Sequence, residues 1–496
     1  MILINSQFYR ETKCTYFAHF VPITFPHGIA MLASYLVNKG KKVKILDEGL
    51  DPVTPDVLRD EVQGLEKPYV FGISSVTANI ARAYELTRMI KDIFPDSFVV
   101  MGGIHPTVCP QEAFENSLVD VVVRGQGEIP MNVLYERLKK GEGYADIPSI
   151  TYRNKEGKII SNPNGPFLKD LNECGLFPFH LFEKNLNRYH LGFIMVTRGC
   201  PYECIFCSAR SITGRSYLIL SPENVIKQLD VYIKEYKQQY LYFMDDIFGM
   251  NKKWLKEVCD RMCDAGYYKT TKFSCSLRSD CVDEEVMQWL KRAGFVLINF
   301  GIETVTNRLL DLLKKNETVE QHERAIELTK KYGMRVGATF ILGLPTETDE
   351  EREANYTFAV KTKIDFARFN NAACYPGTEL YDIAKKEGRA NVGEKWENLN
   401  PVSALVESKD PLPYVPLTTT EDVLRKSILR ANYRFSIRPK SIFLFLFEGN
   451  PLWFSLPHKW YLKPAEYYYI ARLGCTIIAN NSKKLIRSLS RSVFGG

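Results

Sequence analysis

Cys200, Cys204 and Cys207 lie within eight residues of one another, in the stretch RGCPYECIFCSAR at 198–210. Thiolates are soft, strong metal ligands, so three together ask for a metal-centred explanation. A structural zinc site takes thiolates in pairs and needs a fourth ligand, which the C-x3-C-x2-C spacing does not supply. A disulfide cannot use three thiols. A cubane of four irons is normally held by four cysteines, and three on one loop would leave one iron open to an exogenous ligand. The spacing therefore points to an iron–sulfur loop whose fourth position is kept free.

A loop of this kind needs a rigid platform, and the surrounding sequence provides one. Short apolar runs alternate with helical patterns from residue 193 onward: FIMVT (193–197), YLYFMDD (240–246), KFSCSLR (272–278), LINFGIE (297–303), VGATFILG (336–343) and ARFNNAAC (367–374). Six such strand-and-helix units predict a barrel or partial barrel, with chemistry at the carboxyl ends of its strands. The cysteine loop begins where the first of these strands ends.

Residues 1 to 140 alternate in the same way, with MILIN, KKVKILD, YVFGISS, FVVMGG and DVVVRG as buried strands. HGIAMLASYLVNKG and NIARAYELTRMIKDIF read as amphipathic helices between them. That order predicts a parallel sheet covered by helices on both faces, with its ligand crevice beyond the strand ends. Polar and glycine-rich residues gather there: SSVT (74–77), GGIHPT (102–107) and RGQGE (124–128). Each alone could be an ordinary turn; three on one edge favour a ligand site. SITYRNKEGKIISN (149–162) reads as a β-hairpin, followed by a proline-punctuated linker to about residue 182. The expected division is 1–142, 143–190, 191–388 and 389–496.

The cysteine loop, with Phe206 just before the last thiol, resembles the radical S-adenosylmethionine (SAM) superfamily. The resemblance implies a [4Fe–4S] cluster on Cys200, Cys204 and Cys207 whose open iron chelates SAM. Reductive cleavage of SAM then yields a radical that takes hydrogen from substrate, with an electron donor such as flavodoxin or ferredoxin. It further implies that Asp245 and Asp246 accept from the SAM amino group, although the family more often has Gly-Gly-Glu there. Arg278 would pair with the SAM carboxylate and Glu303 would hold the ribose hydroxyls. FILGLPTET, with Gly343, would lie along the adenine. For each of these residues the alternative is a satisfied polar group at a strand end.

The N-terminal half, with GGIHPT and RGQGE, resembles the cobalamin-binding branch of that superfamily, which includes methylases of unactivated carbons and an anaerobic cyclase of bacteriochlorophyll synthesis. Together with YPGTELYDIAKKEG (375–388), the resemblance covers roughly residues 1 to 390. It implies an α/β chain: a Rossmann-like parallel sheet of cobalamin-binding type, a partial (β/α)6 radical SAM barrel and a mostly helical C-terminal extension. Candidate cobalamin contacts are Ser75, Thr77, Gly102, Gly103, His105, Gly125 and Glu128. The D-x-H-x-x-G motif that gives cobalt a histidine elsewhere is absent, since Pro106 follows His105. Cobalt would lack that ligand, or the domain would keep only the fold.

Composition narrows the classes. The chain has 496 residues, 45% hydrophobic and 12% aromatic, enough for two or three cores. A formal charge of +7 is mild, and no RNA-binding module is recognisable, so no nucleic-acid partner is expected. MILINSQFYRETK is too polar for a secretory leader, and no run approaches the ~18 apolar residues of a membrane span. The twelve cysteines therefore read as reduced, in a cytoplasmic protein, and Cys259, Cys263, Cys275 and Cys281 read as small buried hydrophobes. After residue 390 the sequence turns aromatic and then basic. Residues 421–450 read as a helical cap. The final NNSKKLIRSLSRSVFGG reads as an amphipathic helix suited to peripheral contact at the inner membrane surface. The expected function is methyl transfer to a lipophilic small molecule such as a lipid, isoprenoid or tetrapyrrole. A radical cyclase or oxidative rearrangement enzyme, and a non-catalytic iron–sulfur sensor or scaffold, are the alternatives.

Overall fold

The computed structural model describes residues 1–7, 23–393, 396, 398–399 and 411–448. Two parallel sheets organise them. The first contains β1 (Ile2–Asn5), β2 (Lys44–Asp47), β3 (Val70–Ser74), β4 (Phe98–Gly102), β5 (Val121–Val123), β6 (Ile150–Arg153) and β7 (Ile159–Ser161). Their spatial order is β2-β1-β3-β4-β5-β6-β7. The first five are parallel, and the hairpin β6–β7 extends the sheet antiparallel at β5. Strands such as ILIN and VFGIS are apolar on both faces because helices cover both. The chain leaves β1 for β2 on one side and β3 on the other, and that reversal opens a crevice at the ends marked by Asn5, Ser74 and Gly102.

A short strand pair follows the linker: β8 (Phe193–Ile194) and β9 (Thr197–Arg198), with β9 antiparallel to β10 (Leu218–Ile219). The expected single strand FIMVT is thus broken at Met195–Val196. The second sheet continues with β11 (Tyr240–Phe243), β12 (Lys272–Leu277), β13 (Phe295–Glu303), β14 (Arg335–Leu342) and β15 (Phe366–Asn371). Its order is β15-β14-β13-β12-β11-β8, parallel throughout. This is the partial six-stranded barrel that the alternation predicts.

Helix Glu421–Ser436 packs on β15 through buried Leu424, Ile428, Ala431 and Phe435, so this part of the C-terminal region caps the barrel. The basic stretch at 480–496 lies outside the described residues.

Candidate functional site

The cysteine loop is fixed at both ends and in its middle. Gly199 has φ +88°, and a Cβ there would lie 2.3 Å from the Ser216 carbonyl oxygen, so only glycine fits. The Gly199 amide donates to Asp246 Oδ2 at 3.0 Å. Ile205 is buried with Leu309, Leu313 and Leu344; its amide donates to the Leu313 carbonyl at 3.1 Å, and its carbonyl accepts from Leu380 at 2.9 Å. Phe206 packs on the same cluster. Anchored by Ile205, the loop leaves Cys200 and Cys204 half-buried and Cys207 exposed, all three as free thiols. Burial raises the Cys204 thiol, while the nearby charges of Lys315 and Arg278 favour its thiolate.

Of the two carboxylates expected to meet a ligand, only one faces outward. Asp245 turns inward, where its Oδ1 accepts from the amides of Val196 (2.8 Å) and Thr197 (2.5 Å) and staples the broken first strand to β11. Asp246 is exposed and lines the cavity described below. The expectation for Asp245 is corrected accordingly.

Burial pushes the Asp245 carboxyl up to about 7 despite those two amides. Its stabilising contribution is therefore complete below its ordinary value of 3.8 and is lost as pH rises through about 7. Asp245→Asn keeps the acceptor oxygen and removes the titration. The melting temperature of the wild type should fall more than that of the variant between about pH 4 and pH 8. Parallel curves would eliminate Asp245 as the source.

Arg278 is also corrected. Its guanidinium is bidentate to Asp280 at 3.0 Å, donates to the Lys315 carbonyl at 2.8 Å, and stacks 3.5 Å from the centroid of the Tyr202 ring, inside the cysteine loop. It is committed to holding that loop. A second buried cation beside the loop, which the sequence does not mark, is Lys315, 5% exposed and 2.8 Å from Glu317 Oε2. Burial alone would lower its ammonium, but Glu317 and Glu303 outweigh that and hold it above its ordinary value. Burial pushes Glu303, at the end of β13 with φ +66°, up to about 7. Lys315 sits in KKNET, beyond a helix and away from any strand end, among other polar and charged residues, so no local signal marks it. The Gly343 amide, at the end of β14, donates to Glu347 Oε2 at 2.6 Å.

The crevice of the first sheet opens into a cavity of about 510 Å³ that reaches Arg198 and Ala209, on either side of this loop. One wall carries Ser75, Gly102, Gly103, Gly125 and Glu128; the other carries Met195, Thr197, Arg198, Thr213 and Asp246. Gly103 has φ +97°, and a Cβ there would meet the Ser75 carbonyl oxygen at 2.4 Å. The chain thus forms a bare backbone shelf beside apolar Leu3, Leu32 and Met131. Thr77 and His105 do not line the cavity: Thr77 starts a buried turn of helix, and His105 is fully buried against Glu112 and Trp396. Both expectations are corrected. Glu128 lines the cavity and is bound to Arg198 Nη1 at 2.5 Å, joining the two walls.

Residues 194–359 match the Radical SAM superfamily, and residues 14–134 match the B12 binding domain. The chain is 31% identical to an uncharacterized methyltransferase of Pyrococcus horikoshii, over 86% of this chain and 90% of that one. It belongs to the B12-binding radical SAM enzymes. This enzyme is also 27% identical to the anaerobic magnesium-protoporphyrin IX monomethyl ester cyclase of Rubrivivax gelatinosus, over 76% of its own length and 69% of the relative's. It shares its fold with the radical SAM methyltransferase TsrM from Kitasatospora setae, solved with cobalamin and a [4Fe-4S] cluster bound, at TM-score 0.64 and 18% identity over 87% and 81% of the two chains.

The family's cofactors are a [4Fe–4S] cluster, SAM and cobalamin. The residues present fit them. Three free thiols sit on one anchored loop beside two cations, and the glycine shelf and apolar wall give a broad cofactor a close approach.

Proposed function

We propose that this radical SAM enzyme transfers a methyl group to an unactivated carbon of a lipophilic small molecule. The observation that supports it best is a cavity walled by both halves of the chain, in which the B12-binding edge faces Arg198 and Ala209, which flank the cysteine loop, and Asp246, which binds its Gly199. When bound, the cluster and SAM supply a radical able to take hydrogen from carbon, and cobalamin supplies the methyl group.

The chain's own residues divide the remaining work. Cys200, Cys204 and Cys207 hold the cluster, and the Tyr202–Arg278 stack keeps their loop in place. Lys315 takes the SAM carboxylate in place of Arg278, and Asp246 accepts from its amino group. Glu303 would hold the ribose hydroxyls, and the segment after Gly343, with Phe206, would take the adenine. Ser75, Gly102, Gly103, Gly125 and Glu128 form the cobalamin face. The apolar side chains of the cavity exclude water from the reacting carbon. A flavodoxin- or ferredoxin-type donor supplies the electron. Peripheral contact with a membrane belongs to the same proposal, supported by exposed Tyr433, Ile437, Ile442 and Phe443 near the end of the described chain. Among the described residues no helix is long and apolar enough to cross one.

The similarity to the Rubrivivax cyclase favours a second reading, radical cyclisation with the same cofactors. Reduced, reconstituted enzyme given methyl-labelled SAM and candidate lipids or tetrapyrroles separates the two. Methyl transfer puts label in the product in step with 5′-deoxyadenosine. An unlabelled, oxidised product would replace it with the cyclase reading.

A further inference from the structure

His105, Cys109 and Glu112 form a second cluster of ligating groups, and none of them lines the cavity. His105 lies in the short helix Ile104–Val108 after β4, Glu112 lies in helix Pro110–Asn116, and Cys109 is the joint between them. One ring nitrogen, the Cys109 sulfur and one carboxylate oxygen all lie within 4.8 Å of one another.

The histidine is the informative member. It is 0% exposed, yet neither ring nitrogen has a hydrogen-bond partner. Its Nε2 stands 3.5 Å from Glu112 Oε2, close enough to share a ligand and too far for a good hydrogen bond. A buried imidazole without partners is costly, whereas one aimed at a cation is satisfied. The surroundings of Glu112 fit the same account. Trp396 Nε1 donates to its two oxygens at 2.9 and 3.1 Å, and the Tyr84 hydroxyl donates at 3.1 Å. Such donors orient a metal-bound carboxylate and leave its remaining lone pairs directed at the ion.

We propose that His105, Cys109 and Glu112 bind a zinc ion beside Trp396, whose indole orients the Glu112 carboxylate. One nitrogen, one sulfur and one oxygen donor suit a borderline cation such as Zn²⁺ and disfavour hard cations such as Mg²⁺ or Ca²⁺. Water completes the fourth position. The ion is distinct from the iron of the cysteine loop.

The test is elemental analysis of the full-length, cluster-reconstituted enzyme after exposure to zinc and desalting, with iron and zinc counted together. Wild type should retain stoichiometric zinc beside its iron. Cys109→Ala should lose the zinc and keep the iron. Trp396→Phe should weaken zinc binding about 10- to 100-fold without removing a ligand. Cobalt added to full-length chain carrying Cys200→Ala, Cys204→Ala and Cys207→Ala provides a check independent of the cluster. A thiolate charge-transfer band is expected there and should vanish when Cys109→Ala is added. If Cys109→Ala fails to fold, Glu112→Gln reads the same loss. Zinc at background in wild type, zinc unchanged in Cys109→Ala, or no thiolate band with cobalt would each overturn the site.

Discussion

In Cys204→Ala, formation of 5′-deoxyadenosine from SAM is expected to fall to background while the chain remains folded. In the proposed role Cys204 is the middle of three cluster ligands, and the two thiolates left would not hold a cubane that already lacks a fourth protein ligand. The loop itself should survive, because its anchors lie elsewhere. Ile205 keeps its backbone bonds to Leu313 and Leu380 and its place in the core, and Gly199 keeps its bond to Asp246. Far-ultraviolet circular dichroism should therefore match wild type, while iron and sulfide content drop together. Cys263→Ala is the control: that thiol lies on helix Lys252–Asp264, next to Arg292, and its loss should leave cluster and cleavage intact. Cleavage persisting in Cys204→Ala, or lost equally in Cys263→Ala, would remove the cysteine loop from the reaction.

Much of this site was legible because its information is local. C-x3-C-x2-C constrains three side chains within a single loop, and the β-branched runs constrain the strands that carry it. The glycines at 102, 103 and 125 line the cavity, and their positions are legible for the same reason, since backbone conformation is set by adjacent residues. What sequence did not disclose depends on contacts between distant segments. The sequence of β12 does not indicate that Arg278 will be occupied by Asp280 and by a tyrosine some seventy residues earlier. Nor does any local pattern bring Lys315 to Glu303, or join Glu128 to Arg198. His105 is the instructive error: its glycine-rich neighbours reach the cavity, but the following short helix carries the imidazole toward Glu112 and Trp396. The inward turn of Asp245 belongs with these, since it is set by the amides of Val196 and Thr197 across the sheet.

Arg198→Met should be the most damaging substitution outside the ligands themselves. Arg198 and Glu128 form an ion pair at 2.5 Å, with side chains 15% and 3% exposed, and the Cys174 sulfur lies 4.0 Å from the same Glu128 oxygen. Removing the cation strands a carboxylate in an interior that cannot solvate it, a loss of about 3–5 kcal/mol for a buried pair. The first thermal transition should then drop by roughly 10 °C. The functional effect should be uneven. Arg198 precedes the cysteines by two residues and ties their loop to the opposite wall, whereas the loop's other anchors lie within the barrel half. Methyl transfer should therefore fall further than 5′-deoxyadenosine formation, since the first needs both walls in register and the second needs one. The double variant Arg198→Met/Glu128→Leu removes the stranded charge and fills the space with apolar atoms. It should recover most of the lost stability without recovering coupling between the two reactions. A double variant as unstable as the single one would place the loss in packing around Arg198 rather than in the unpaired charge. Full recovery of methyl transfer in the double variant would show that the pair does not align the two walls.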